Sequence, residues 1–140
     1  MIYCDTSLLV AGLTVEQDSL RVQSWLTSQP EGRLCISHWV ISEFSSALSI
    51  KLRRGDMQVS QRERIAGNWR VLQRDYLTIL PVTPQAFDLA AKFCDRHETG
   101  LRSGDALHLA IASLEGHTLA TLDKAFAAAA VEVGVALESV

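Results

Sequence analysis

Short apolar runs alternate with helix-patterned segments along the whole chain, and this alternation limits the fold more than any other feature of the sequence. Ile2-Tyr3-Cys4, Leu34-Cys35-Ile36-Ser37, Thr78-Ile79-Leu80-Pro81-Val82 and Thr118-Leu119-Ala120-Thr121-Leu122 read as strands, with Val135-Ala136-Leu137 a candidate fifth. Strands separated by helices are joined by crossovers. The expected fold class is therefore α/β: a central, mainly parallel sheet of four to five strands flanked by helices. Pro81 places the third strand at an edge or an exit, because proline cannot donate to a ladder.

The helical patterns are equally short. Residues 17–28 form one, with Leu20, Trp25 and Leu26 expected inward, and Pro30-Glu31-Gly32 turns the chain after it. From His38, apolar residues recur at helical spacing through Trp39, Val40, Ile41, Phe44, Ala47, Leu48 and Leu52, until Gly55 stops the helix. Residues 60–76 form the next, with Ile65, Trp69, Leu72 and Tyr76 on its apolar face. Thr83 caps another, with Pro84 at its first position and Phe87, Leu89, Ala90, Ala91, Phe93 and Cys94 along it. Ser103 and Gly104 sit where a cap belongs, ahead of an almost wholly apolar run from Ala106 to Leu114 that Gly116 closes. Residues 126–131 form a short Ala-rich helix with Gly134 beyond it.

A chain of 140 residues is long enough for one domain with its own core, so residues 1–140 are read as a single unit. The apolar runs are too short and too interrupted to span a membrane. Met1 leads straight into the first strand, so no signal peptide is expected. Cys4, Cys35 and Cys94 are odd in number and widely spaced, as expected of reduced, mostly buried thiols in a cytoplasmic protein.

Charge is unevenly spread. The net charge is −3, yet residues 51–75 hold seven basic side chains against three acidic ones, which leaves the remainder strongly acidic. That division suits a protein that attracts a polyanion with one surface and holds cations with another; a salt-bridged, solvated helix pair would look the same.

Four acids occupy places that local structure alone does not require. Asp5 and Asp123 each close a strand, Asp105 falls in the first turn of the apolar 106–114 helix, and Glu43 is the only acid of its helix, near the apolar face. An acid in a first turn complements the helix dipole, a sufficient reason for Asp105 if it stood alone. A glutamate on an apolar face is costly without a cation or hydrogen-bond partner. In a parallel sheet the strand carboxyl ends and the helix starts share one edge, so the four can converge there. Clustered carboxylates repel unless a cation sits among them, and an all-oxygen set points to Mg²⁺ or Mn²⁺ rather than zinc. Such ions supply what phosphodiester hydrolysis needs. Thr6, Ser7 and Thr121 lie beside the acids and could orient a carboxylate or a water, although hydroxyls at strand ends more often satisfy turns and caps.

Tyr3-Cys4-Asp5-Thr6-Ser7, Ser42-Glu43-Phe44 with Ala47-Leu48, the run from Leu101 to Ala110 around Asp105, and Thr121-Leu122-Asp123 together resemble the motif set of the PIN-domain nucleases, and within it the VapC-type toxins of bacterial toxin–antitoxin pairs. The resemblance covers nearly the whole chain in order, and its most specific piece is the Asp105 segment. It implies a PIN-like domain with metal-dependent endoribonuclease activity on structured RNA, a homodimer, and a cognate VapB-type antitoxin that blocks the site. By position it makes Asp5, Glu43, Asp105 and Asp123 the catalytic acids, with Asp5 and Asp105 the principal metal ligands and Glu43 and Asp123 acting through water or on a second ion.

Other residues carry weaker readings. His108, three residues past Asp105, is tempting as a base, but its neighbours Leu107 and Leu109 suggest a packed position. His38, His97 and His117 form no ligand spacing, and Trp25, Trp39 and Trp69 fall on apolar faces as core residues first. Arg102, Arg53, Arg54, Arg70 and Arg74 are candidate contacts to RNA or antitoxin. Two other functions compete. A haloacid-dehalogenase-like phosphatase would need acids where Ser7 and Leu109 stand. A PIN-fold module that only binds RNA or protein would not need all four acids.

Overall fold

The computed structural model describes all 140 residues and contains four strands and seven helices in the order β1 (Ile2–Cys4), α1 (Thr6–Leu13), α2 (Ser19–Ser28), β2 (Leu34–Ser37), α3 (His38–Arg54), α4 (Val59–Asp75), β3 (Thr78–Leu80), α5 (Pro84–Asp95), α6 (Ser103–Leu114), β4 (Thr118–Ala120) and α7 (Lys124–Glu132). The strands form one sheet in the order β3-β2-β1-β4, and every pairing is parallel. β1 is central and fully buried, as a strand covered on both faces must be, and this explains why Ile2-Tyr3-Cys4 shows no polar alternation. β3 is an edge strand, as Pro81 required. The candidate fifth strand is reduced to a single parallel bridge between Leu119 and Leu137. No helix is long and apolar enough to cross a membrane.

Parallel register fixes the edge on which function can be built. Cys4 pairs with Ala120, and Ser37 with Leu80, so Asp5, His38 and Thr121 all leave the sheet at its carboxyl edge. The Asp5 amide continues the ladder by donating to the Ala120 carbonyl at 3.0 Å.

Several helix limits follow local chemistry. The Thr83 hydroxyl accepts from the Ala86 amide and Pro84 opens α5. Gly55 ends α3 at a φ of +80°, in the left-handed region where a side chain is strained. α6 is buried continuously from Ala106 to Ala112. Its cap, however, is Arg102, whose extended backbone accepts the Ala106 amide; Ser103 and Gly104 are already helical.

Residues 6–13 form a helix that periodicity does not announce, because it is buried nearly all round and has no polar stripe. α2 lies against it at a tight point: a Cβ on Gly12 would stand 2.9 Å from Leu26 and 3.2 Å from Val22. That seat turns Val22 inward and leaves Leu20, expected inside, 82% exposed. Tyr76 falls just past the end of α4 and is also exposed, as is Phe87 on the outer side of α5. Trp69 stacks on Phe44 with ring centroids 4.3 Å apart and ties α4 to α3, while Trp25 and Trp39 pack partly buried against the same core. Cys4 and Cys35 are buried free thiols whose pKa values burial pushes up, that of Cys35 to about 12; Cys94 is free and half-buried.

Candidate active site at the carboxyl edge of the sheet

Asp5 is the first residue beyond β1 and is almost wholly buried. One of its oxygens, Oδ2, accepts two short hydrogen bonds, from Ser7 Oγ and from Thr121 Oγ1, both 2.6 Å. The two hydroxyls lie 3.5 Å apart, and Ser7 Oγ also accepts the Leu122 amide. Asp5 Oδ1 accepts nothing from the protein.

Glu43, one turn into α3, repeats the arrangement. Its Oε2 accepts from Thr6 Oγ1 at 2.7 Å and from His108 Nε2 at 2.6 Å, while Oε1 lies toward Gly104 at the start of α6. Burial would push the Glu43 carboxyl up, but the hydrogen bond and charge of His108, the Thr6 hydroxyl and the nearby Trp39 indole outweigh it, and the pKa falls below the ordinary carboxylate value. The Trp39 Nε1 group itself reaches no partner of hydrogen-bond geometry. Thr6 and Ser7, adjacent in the first turn of α1, thus serve different acids.

Asp105 lies in the first turn of α6, half-buried, and its pKa is raised. Desolvation is the largest cause, and the like charges of Asp5 and Asp123 add to it; the Arg102 backbone and the charge of His108 act in the opposite sense. The helix dipole favours a carboxylate there, yet desolvation, with the other acids adding to it, outweighs the groups that favour the charged form. Asp123 is the most exposed of the four. Its Oδ1 caps α7 through the Ala125 and Phe126 amides, at 2.9 and 3.0 Å. A purely structural duty therefore occupies half of that carboxylate.

The four acids and their three hydroxyl neighbours occupy one edge, as their strand and helix positions require. No three acidic, histidine or cysteine side chains close tightly round one point. The donor chemistry still fits a hard divalent cation, which binds through one or two carboxylates and completes its shell with water and phosphate oxygens. Asp5 Oδ1 and Glu43 Oε1 are open oxygens of that kind.

The arginines fare differently. Arg102 is exposed beside Asp105, at the cap of α6. Arg53 and Arg54 follow Glu43 by ten and eleven residues, roughly 15 Å along α3. Arg74 is paired with Asp75 at 2.6 Å, next to Tyr76 and Leu34 at the opposite edge of the sheet, and Arg70 is one turn earlier on α4. The structure does not bring these four to the acids. Of the histidines, His38 and His97 are exposed and His117 is half-buried beyond α6, whereas His108 is 2% exposed. It is the partner that an acid on the apolar face of α3 demanded; being the one histidine within an apolar helical run was its only signal in the sequence.

The PIN domain family model matches residues 2–132. No curated protein matches. Among solved structures, the chain is similar to FitAcB of Neisseria gonorrhoeae at 20% identity, with a TM-score of 0.75 over 99% of this chain and 97% of that one. It is similar to VapC20 of Mycobacterium tuberculosis, described as a sarcin-ricin loop cleaving toxin, at 20% identity and a TM-score of 0.73, over 92% of this chain and 95% of that one. A toxin–antitoxin complex of Klebsiella pneumoniae matches at 19% identity and a TM-score of 0.57, over 91% of each chain.

Proposed function

Because the chain belongs to the PIN-domain family, we propose that it is the nuclease toxin of a toxin–antitoxin pair: a Mg²⁺- or Mn²⁺-dependent endoribonuclease that hydrolyses phosphodiester bonds in RNA and is inhibited by a cognate VapB-type antitoxin. One observation carries the reading. Asp5 and Glu43 each have one oxygen held by two donors and the other left open on the same edge, with the pKa of Asp105 raised beside them. Sites that only cap helices do not need acids oriented in this way. The likeness to a toxin described as cleaving the sarcin-ricin loop, and to a chain from a toxin–antitoxin complex, supports the same choice.

In this reading Asp5 and Asp105 are the principal ligands, and Glu43 and Asp123 complete the site through water or on a second ion. The ion, when bound, lowers the pKa of an attacking water and offsets charge on the phosphate. Ser7 and Thr121 hold Asp5 so that Oδ1 faces the site, and Thr6 does the same for Glu43. Arg102, exposed at the cap of the Asp105 helix, is proposed to contact a phosphate. The chain works as a homodimer in the cytoplasm.

Growth tests the reading. Expression of the wild-type chain without antitoxin is expected to arrest it, and neither Asp5→Asn nor Asp105→Asn should do so at equal protein levels. Arrest by both variants would defeat the site assignment.

Arg53, Arg54, Arg70 and Arg74 are proposed to contact RNA or antitoxin away from the acids. Each phosphate contact contributes about 0.7 to the slope of log affinity against log salt for single-stranded nucleic acid. Neutralising all four should flatten that slope for RNA. An unchanged slope would return them to a solvated face, or to the antitoxin.

A further inference from the structure

Behind Glu43 runs a column of polar groups that the acids and hydroxyls of the site do not explain. Ser37 Oγ lies 2.7 Å from the Tyr3 hydroxyl, that hydroxyl 2.9 Å from His108 Nδ1, and His108 Nε2 2.6 Å from Glu43 Oε2. Ser37 and Tyr3 have no exposure and His108 only 2%. They come from three elements, the end of β2, the middle of β1 and the second turn of α6, and end on a fourth, α3.

The proton positions follow from the chemistry of the groups. A carboxylate only accepts, so His108 Nε2 carries the hydrogen given to Glu43. In the neutral ring Nδ1 accepts from Tyr3 and Ser37 donates to the Tyr3 oxygen; in the imidazolium Nδ1 donates to the Tyr3 oxygen and Tyr3 donates to Ser37; in either form no member of the column is left without a partner. Tyr3 and Phe126 both pack against the imidazole ring, with centroids at 5.8 and 6.2 Å. An apolar trio of similar volume would fill this core without the demand for mutual satisfaction. What the polar trio adds is direction: glutamate has three rotatable bonds, and Thr6 alone, on a single oxygen, leaves the carboxylate free to swing.

We propose that Ser37, Tyr3 and His108 form a positioning column that fixes Glu43 through Oε2 and thereby presents Oε1 alone to the metal or its water. The role in catalysis rests on the nuclease reading; the role in ordering the Glu43 carboxylate does not. His108 is a positioning residue here, and the base role its place beside Asp105 invites is ruled out for this conformation, since both its nitrogens are engaged within the core.

The test compares His108→Leu, His108→Gln and Tyr3→Phe with the wild type, after thermal unfolding confirms that each is folded. Mn²⁺ affinity is titrated, and RNA cleavage is resolved into kcat and KM. Glutamine reaches about as far as Nε2 and keeps an N–H for Glu43; leucine fills the space with none. His108→Leu is expected to lower kcat about tenfold or more with KM unchanged, the scale of a lost hydrogen bond to a charged group, and to weaken Mn²⁺ binding by a similar factor. His108→Gln should recover most of both, and Tyr3→Phe should lose a few-fold. Leucine equal to wild type, or glutamine no better than leucine, overturns the positioning role. Wild-type protein that binds Mn²⁺ but cuts no RNA overturns the nuclease reading alone, and the order wild type, glutamine, leucine in Mn²⁺ affinity then still decides the column.

Discussion

Asp105→Asn is expected to lower RNA cleavage by about a hundredfold or more and, in metal-free buffer at neutral pH, to raise thermal stability. The first effect follows from removing a charged ligand at an ion that neutralises phosphate charge, a contribution of several kcal/mol to the transition state. The second follows from the raised pKa of Asp105. A carboxyl whose pKa is higher in the folded state binds its proton more tightly there, so its ionisation destabilises the fold as pH rises through the unfolded and then the folded value. Above that window the wild type bears the full penalty of desolvation and repulsion from Asp5 and Asp123, and asparagine removes it. Below the window the advantage of the variant should vanish. Glu43 behaves in the opposite way. Its lowered pKa contributes stability above the unfolded carboxylate value that is lost as pH falls through the folded one. Mn²⁺ should reverse the ranking, raising the melting temperature of the wild type by linkage and leaving Asp105→Asn unmoved. Melting curves with and without Mn²⁺, between pH 4 and pH 8, read all of this. A variant less stable than wild type at neutral pH would mean that the helix-dipole interaction outweighs desolvation and crowding together.

Phe44→Ala carries the largest expected cost in stability, about 3–5 kcal/mol. Phe44 has no exposure, stacks on Trp69 and sits one residue after Glu43, so the lost ring opens a cavity where α3 and α4 meet. Against a typical total of about 5–15 kcal/mol this is a large fraction. Urea denaturation should show a midpoint far below that of the wild type. Phe44→Leu, which keeps most of the volume, should fall between. A loss below about 1 kcal/mol for alanine would mean that Trp69 and the helix pair collapse into the space.

What could be read from the residues depended on whether the signal was local. The parallel sheet was legible because strand and helix patterns alternate and crossovers allow little else. The caps at Thr83 and Gly55 were legible because their chemistry lies within one turn. α1 was not, since a helix buried on every side has no periodicity to show. Leu20 misleads for a related reason: which face of α2 turns inward is set by its contact with Gly12, seven residues before the helix begins. Among the site residues, the acids stood out because nothing local required all four. The need of Glu43 for a partner was visible, but its identity was not, because His108 lies 65 residues away and meets it only once the chain is folded. The arginines show the limit of composition: a basic segment says that positive charge is present and says nothing about which edge of the sheet it faces.

The most direct test of the metal-nuclease assignment is cleavage of total cellular RNA by purified, antitoxin-free protein in Mg²⁺, in Mn²⁺ and in EDTA, with Asp105→Asn alongside. Discrete fragments that appear with either ion, vanish in EDTA and are absent with the variant are expected. Fragments that persist in EDTA, or that Asp105→Asn still produces at the wild-type rate, would contradict it.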